Sequence, residues 1–83
     1  MAEVAFVFSG ALVQASFRQF AQHRANRLSL GIDFGAASDR FFDVTVTGDE
    51  ALVDMFEMAC SLGPYDCIIQ DVTRRDIAPA GNI

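Results

Sequence analysis

A join near the N-terminus constrains this chain more than any other feature. The apolar run Val4 to Phe8 gives way, across Ser9 to Arg18 (SGALVQASFR), to a segment of helical periodicity that begins at Phe17. A strand that enters a helix through a short loop gathers free backbone N–H groups at the helix N-terminus, where the partial positive charge attracts anions. Arg18 then falls in the first helical turn, and its planar fork of donors suits the oxygen pair of a phosphate or carboxylate. Ser16 stands at the N-cap position with Gln19 three residues on, so Ser16-Phe17-Arg18-Gln19 reads as a capping box that fixes the helix start.

The rest of the chain follows in order. Glu3 to Ser9 shows no alternation, which suits a central strand covered at least partly on both faces. From Phe17 to Leu28 the residues Phe17, Phe20, Ala21, Ala25 and Leu28 recur at helical spacing, with Gln22, Arg24, Asn26 and Arg27 between them. Gly31 is placed to terminate that helix. Gly31 to Gly35 reads as a short strand and Ala36 to Asp39 as a turn. Arg40 to Thr47 alternates, with Phe42, Val44 and Val46 on one face and Phe41, Asp43, Thr45 and Thr47 on the other, and should pair with its predecessor as a hairpin.

Thr47-Gly48-Asp49-Glu50 has capping-box spacing, and Leu52, Met55, Phe56 and Ala59 repeat at helical intervals behind it. Gly63-Pro64 closes this second helix, and Tyr65 to Thr73 offers a last strand. The order strand, helix, strand, strand, helix, strand is the split βαβ arrangement: an α+β, ferredoxin-like βαββαβ sandwich, an antiparallel sheet with two helices on one face. On the other face Phe6, Phe8 or Phe41 either form an apolar patch that invites a homodimer or protein partner, or are covered by the tail and by each other. The tail from Ala78 to Ile83 reads as loose.

Composition sets the outer limits. Eighty-three residues, 52% of them hydrophobic and eight of them Phe, make a single domain, residues 1–83, that builds its core without staples. No apolar run approaches the ~20 residues of a membrane helix, and the N-terminus has no positive region of the signal-peptide kind, so the expectation is a cytoplasmic protein with no membrane contact. A net charge of −5 argues against nucleic-acid binding, and the strands lack the basic-aromatic motif of RNA-recognition sheets. Cys60 and Cys67 read as core or half-core thiols, too few for a disulfide framework or a zinc site. His23, the only histidine, sits among Gln22, Arg24 and Asn26 as a solvated residue, and neither a metal nor a cofactor is expected.

These residues resemble the acylphosphatase family from Val4 to about Thr73. Ser9, Gly10, Phe17 and Arg18 match the family's pattern of strand, Ser-Gly, glycine-rich loop and Gly-Phe-Arg opening the first helix. The run from Arg18 to Leu28 is similar to the family's helix continuation, Gly31 to the glycine opening its second strand, and Gly48 to Leu52 to the start of its second helix. In active members the loop amides and the arginine hold the phosphate of an acyl phosphate, and an asparagine after the second strand orients the attacking water, without metal or covalent intermediate. By position, the resemblance puts the phosphate-binding role on Arg18 and the anion cradle on Leu12, Val13, Gln14, Ala15, Ser16 and Phe17.

Five positions depart from the family. The asparagine position falls on Gly35, which has no side chain to hold a water. Gln14, Ala15 and Ser16 replace the glycines around the loop's valine, and Ala11 replaces a basic residue. Asp33 beside Gly35 would repel an anionic substrate, whereas Ser38 is a candidate substitute for the missing amide. Arg18 has a structural alternative as well, pairing with Asp33 or Asp39 at the surface. The resemblance therefore implies a degenerate acylphosphatase-like domain that keeps a weak pocket for a phosphate or acyl-phosphate-like anion at Arg18 and acts as a binding or interaction module. Two alternatives stand beside it: an active acylphosphatase in which Arg18 is catalytic, and a small-molecule regulatory or dimerisation domain.

Overall fold

The computed structural model describes residues 1–78. The elements run β1 (Ala2–Ala11), α1 (Gln14–Arg27), β2 (Gly31–Ala37), β3 (Phe41–Gly48), α2 (Glu50–Leu62) and β4 (Ile68–Ala78). The strands form one sheet of order β2-β3-β1-β4, antiparallel at every pairing, with both helices on one face. This is the βαββαβ arrangement expected from the sequence. No helix among the described residues is long and apolar enough to cross a membrane.

The core follows from side-chain alternation on the central strands. Val4, Phe6 and Phe8 of β1 and Phe42, Val44 and Val46 of β3 turn one face toward the helices, where Phe17, Ala21 and Ala25 of α1 and Val53, Phe56 and Cys60 of α2 meet them. Aromatic rings join the layers: Phe6 stacks on Phe8 at 5.6 Å between centroids, Phe8 meets Phe17 at 5.2 Å, and Phe17 meets Phe42 at 5.4 Å. Phe6 and Phe8 therefore belong to the core and not to an apolar patch on the open face. Only Phe41 of that trio lies on the open face, half-buried opposite Ser9. The non-alternating run in β1 has a simple basis: Ala5 and Val7 fill the open side of a strand flanked by two neighbours, and both are half-buried there.

Several boundaries differ from the sequence reading. α1 begins at Gln14 with Val13 as N-cap, three residues before Phe17, and Ser16 lies inside its first turn. The helix ends at Leu28 with Ser29 in the left-handed region (φ 56°), so Gly31 opens β2 and terminates nothing. α2 is capped by Asp49, whose carboxylate accepts the Ala51 amide at 2.9 Å, and not by Thr47. Its buried face is Val53, Phe56 and Cys60, while Met55 is exposed. Gly63 does close α2, at φ 69°.

β4 runs on to Ala78, well past Thr73, because it pairs with the whole length of β1. The added stretch carries three charged residues in a row, Arg74, Arg75 and Asp76, and an edge strand keeps its charges in solvent or in ion pairs. Arg74 does the latter: its guanidinium reaches Asp54 at 2.7 Å and Glu57 at 2.8 Å on α2, and Asp76 at 3.5 Å. Those hydrogen bonds, Asp54's above all, hold it more firmly protonated than a free arginine. Tyr65, expected in the strand, lies fully exposed in the turn before it. The expected loose tail falls on 79–83, outside the described residues, apart from Ala78 at the end of β4.

Candidate functional site

The join between β1 and α1 is held on both sides. As the chain leaves the sheet, the Gly10 amide donates to the Arg40 carbonyl at 2.9 Å and the Leu12 amide to the Asp39 carbonyl at 2.8 Å. Gly10 sits at a bulge against β4 with φ 150°, and a Cβ there would overlap the Ile68 carbonyl oxygen, so only glycine fits. Leu12 drops its side chain into the core. From the far side, the Val13 amide donates to Cys67 Sγ at 3.4 Å and the Ser16 hydroxyl to Asp66 Oδ1 at 2.7 Å.

These contacts sort the expected cradle into two groups. The amides of Leu12, Val13 and Phe17 already have acceptors, Phe17 donating to the Val13 carbonyl at 2.9 Å. Ser16 has its hydroxyl on Asp66 and does not cap the helix. The first-turn amides of Gln14, Ala15 and Ser16 have no acceptor among the described residues, as expected at a helix start whose N-cap side chain, valine, cannot accept. No acidic residue stands in this turn. Gln14, Ala15 and Ser16 thus form the first turn of α1, with open N–H groups.

Arg18 lies one turn beyond Gln14 on the same side of α1. Its guanidinium carbon is 4.8 Å from the centroid of the Phe34 ring, which meets Phe42 edge-on at 5.5 Å. No carboxylate among the described residues is within ion-pair distance, so the expected pairing with Asp33 or Asp39 does not form. Gln14, Ala15, Arg18, Gly35, Ala37 and Phe42 line one cleft of about 310 Å³. Of the expected cradle, the structure brings Gln14, Ala15 and Arg18 to this cleft and places Leu12 and Phe17 in the core beneath it.

The water-holding position is poorly furnished. Gly35 stands at the cleft, but a Cβ built on it would meet Asp43 Cβ at 3.2 Å, so a side chain at this position leans toward the open face and an acidic neighbour. Ser38 offers no replacement, because its Oγ accepts the amides of Arg40 at 3.0 Å and Phe41 at 3.2 Å and so shapes the β2–β3 turn. His23 is exposed on α1, away from these residues in the cleft. Burial pushes the Cys60 thiol up to about 12, and burial is also the main reason Cys67 is raised, so both are core thiols. Among the described residues no group of three or more His, Cys, Asp and Glu could hold a metal ion.

Sequence reasoning missed Phe34, Asp66 and Cys67 as supports of the site. Asp66 and Cys67 lie 50 and 54 residues along the chain from their partners, with no local signal to connect them. Phe34 had a signal, since an aromatic residue next to the expected water-holding position is a ready seat for a guanidinium.

No protein-family model matches the chain, and no curated protein matches it in sequence. Solved structures do match it in shape. The acylphosphatase from Bacillus subtilis superposes with a TM-score of 0.85 at 20% identity, over 98% of this chain and 91% of that one. An acylphosphatase from Coxiella burnetii gives 0.84 at 17% identity, over 93% and 81%. Full-length HypF, in a phosphate- and nucleotide-bound form, gives 0.78 at 16% identity, with 96% of this chain covering 11% of that one. The fold is acylphosphatase-like.

Proposed function

We propose that this protein is a degenerate acylphosphatase-like domain whose Arg18 cleft binds a phosphate-like anion weakly and serves as a binding or interaction module. The observation that carries this reading is an exposed guanidinium, unmatched by any carboxylate among the described residues, beside a helix start with open amides. Both features favour an anion, and the −5 net charge keeps its affinity low. Hydrolysis is disfavoured on three counts. Gly35 holds no water, Ser38 is committed to its turn, and the glycine cradle that would wrap a phosphate is a helical turn instead.

The test is a titration of inorganic phosphate followed by amide chemical shifts, with metal-free hydrolysis of an aryl acyl phosphate measured alongside. The expected result is saturable binding at Gln14 to Arg18, at roughly millimolar strength, lost in Arg18→Ala, with no turnover above that variant. Turnover that depends on Arg18 would replace this reading with an active acylphosphatase, the reading favoured by the two acylphosphatase superpositions. Loss of one positioned polar group costs ~10²–10³ in rate without ending a reaction. Absence of both binding and turnover would leave only the regulatory or dimerisation reading.

A further inference from the structure

β4 is the last strand of the sheet order, and among the described residues its outer backbone row pairs with nothing. Such an edge is a template for another strand. Natural edges are guarded by charge and by bulges, and β4 has both: its pairing with β1 is irregular at Ser9/Gly10 and at Glu3/Val4. Between those irregularities Asp71 to Asp76 form a regular stretch, opposite Ser9 to Val4.

The charges on that stretch are arranged symmetrically. Asp71, Thr73 and Arg75 lie opposite Ser9, Val7 and Ala5, so they share the open face, away from the helices. Asp71 and Arg75 are equidistant from Thr73. A two-fold axis perpendicular to the sheet through Thr73 therefore sets Asp71 of each copy opposite Arg75 of the other, giving two opposite-charge pairs on one face. Residues on the same face must pair across such an axis. A shift of the axis to Val72 puts Asp71 against Thr73 and Arg75 against Ile69; a shift to Arg74 puts Asp71 against Ile77 and Thr73 against Arg75. Of these three axes only the one at Thr73 matches the charges.

Arg75 is exposed and has no ion pair among the described residues, in contrast to Arg74, which α2 engages. Asp71 accepts only the amide of Val72 through one carboxylate oxygen, leaving the other for a partner. We infer that β4 is the contact of a homodimer, two copies joining antiparallel about Thr73 into one eight-stranded sheet, with reciprocal Asp71–Arg75 pairs selecting a second copy of this chain over other strands. The Arg18 cleft borders β2, the opposite edge, so both clefts stay open in the dimer and the inference is independent of the anion reading.

Charge reversal tests it by sedimentation equilibrium at low salt. The wild-type chain is expected to dimerise with rising concentration, and less so at high salt. Asp71→Arg and Arg75→Asp each turn both pairs repulsive and should weaken association at least about tenfold. Mixing these two variants should give a heterodimer, because each then faces its complement, and the double variant carrying both changes should recover the homodimer. Arg18→Ala should leave the dimer unchanged. Far-UV circular dichroism checks that each variant folds, and the double variant decides the case if a single one does not. A wild-type chain that stays monomeric up to ~1 mM, a dimer indifferent to the single reversals, or a double variant that fails to recover association would overturn the inference.

Discussion

The two helices begin in opposite ways. α2 opens on Asp49, whose carboxylate takes the Ala51 amide, and Glu50 adds a second negative charge in its first turn. α1 opens on Val13, with neither a side-chain cap nor an acid in its first turn. The arginines associated with each follow the same division. Arg74, packed against α2, has carboxylates from Asp54, Glu57 and Asp76, whereas Arg18 on α1 has a phenyl ring beneath it and no carboxylate among the described residues. A chain with 11 acidic residues has carboxylates to spare, so the open end of α1 does not arise from a shortage. One end is answered from within the fold, and the other has no such answer among the described residues.

On the proposed reading, Arg74 serves stability and Arg18 serves binding. The largest effect expected is from Arg74→Ala, which removes charged hydrogen bonds to α2 from a side chain only 26% exposed and uncovers Phe6. Urea denaturation should show a loss of ~1–3 kcal/mol. Asp49→Ala should follow with ~1 kcal/mol, the ordinary cost of a lost N-cap.

Val13→Asp should go the other way. It gives α1 the cap that α2 has, at a position 46% exposed, and should raise stability by ~0.5–1 kcal/mol while abolishing the phosphate-induced shifts. Arg18→Ala should change stability least, by about 0.5 kcal/mol from the exposed ring contact, and yet remove anion binding. An Arg18→Ala loss as large as that of Arg74→Ala would dissolve the distinction between the two ends.

The strength of the periodic signal decided what could be read in advance. β3 was legible because Phe42, Val44 and Val46 alternate with polar partners, and the order of elements followed from the apolar runs, helical periodicities and turn residues taken together. The capping residues were not. Ser16 and Thr47 each head a sequence with capping-box spacing, but burial of Phe17 and of Val53 sets the helix registers, and the caps fall on Val13 and Asp49. The buried face of α2 was read correctly at Phe56 and missed at Val53 and Cys60, because Met55 is also apolar and only the sheet beneath decides which positions are covered.

At the candidate site, Arg18 was singled out from its place in the first helical turn, and Gly35 only through the family resemblance. The contacts made at the start of α1 were not legible, because they come from Asp66 and Cys67, near in space and far in sequence. Ser38 and Asp33 were candidates by proximity along the chain alone. Strand geometry gave Ser38 a turn to hold and left Asp33 unable to reach Arg18.

The pairing of β1 with β4 also has a kinetic side. It joins residues as far as 75 positions apart, Glu3 to Ala78. Local pairing of β2 with β3 needs only a short turn, whereas the centre of the sheet waits for a long loop to close, which slows the search for the native state. During synthesis the ribosome therefore releases Val4 to Phe8 well before β4 exists to cover its edge. Over that interval an uncharged, aromatic-rich strand has β3 on one side and nothing on the other, and its open edge is what a nascent-chain chaperone would be expected to hold.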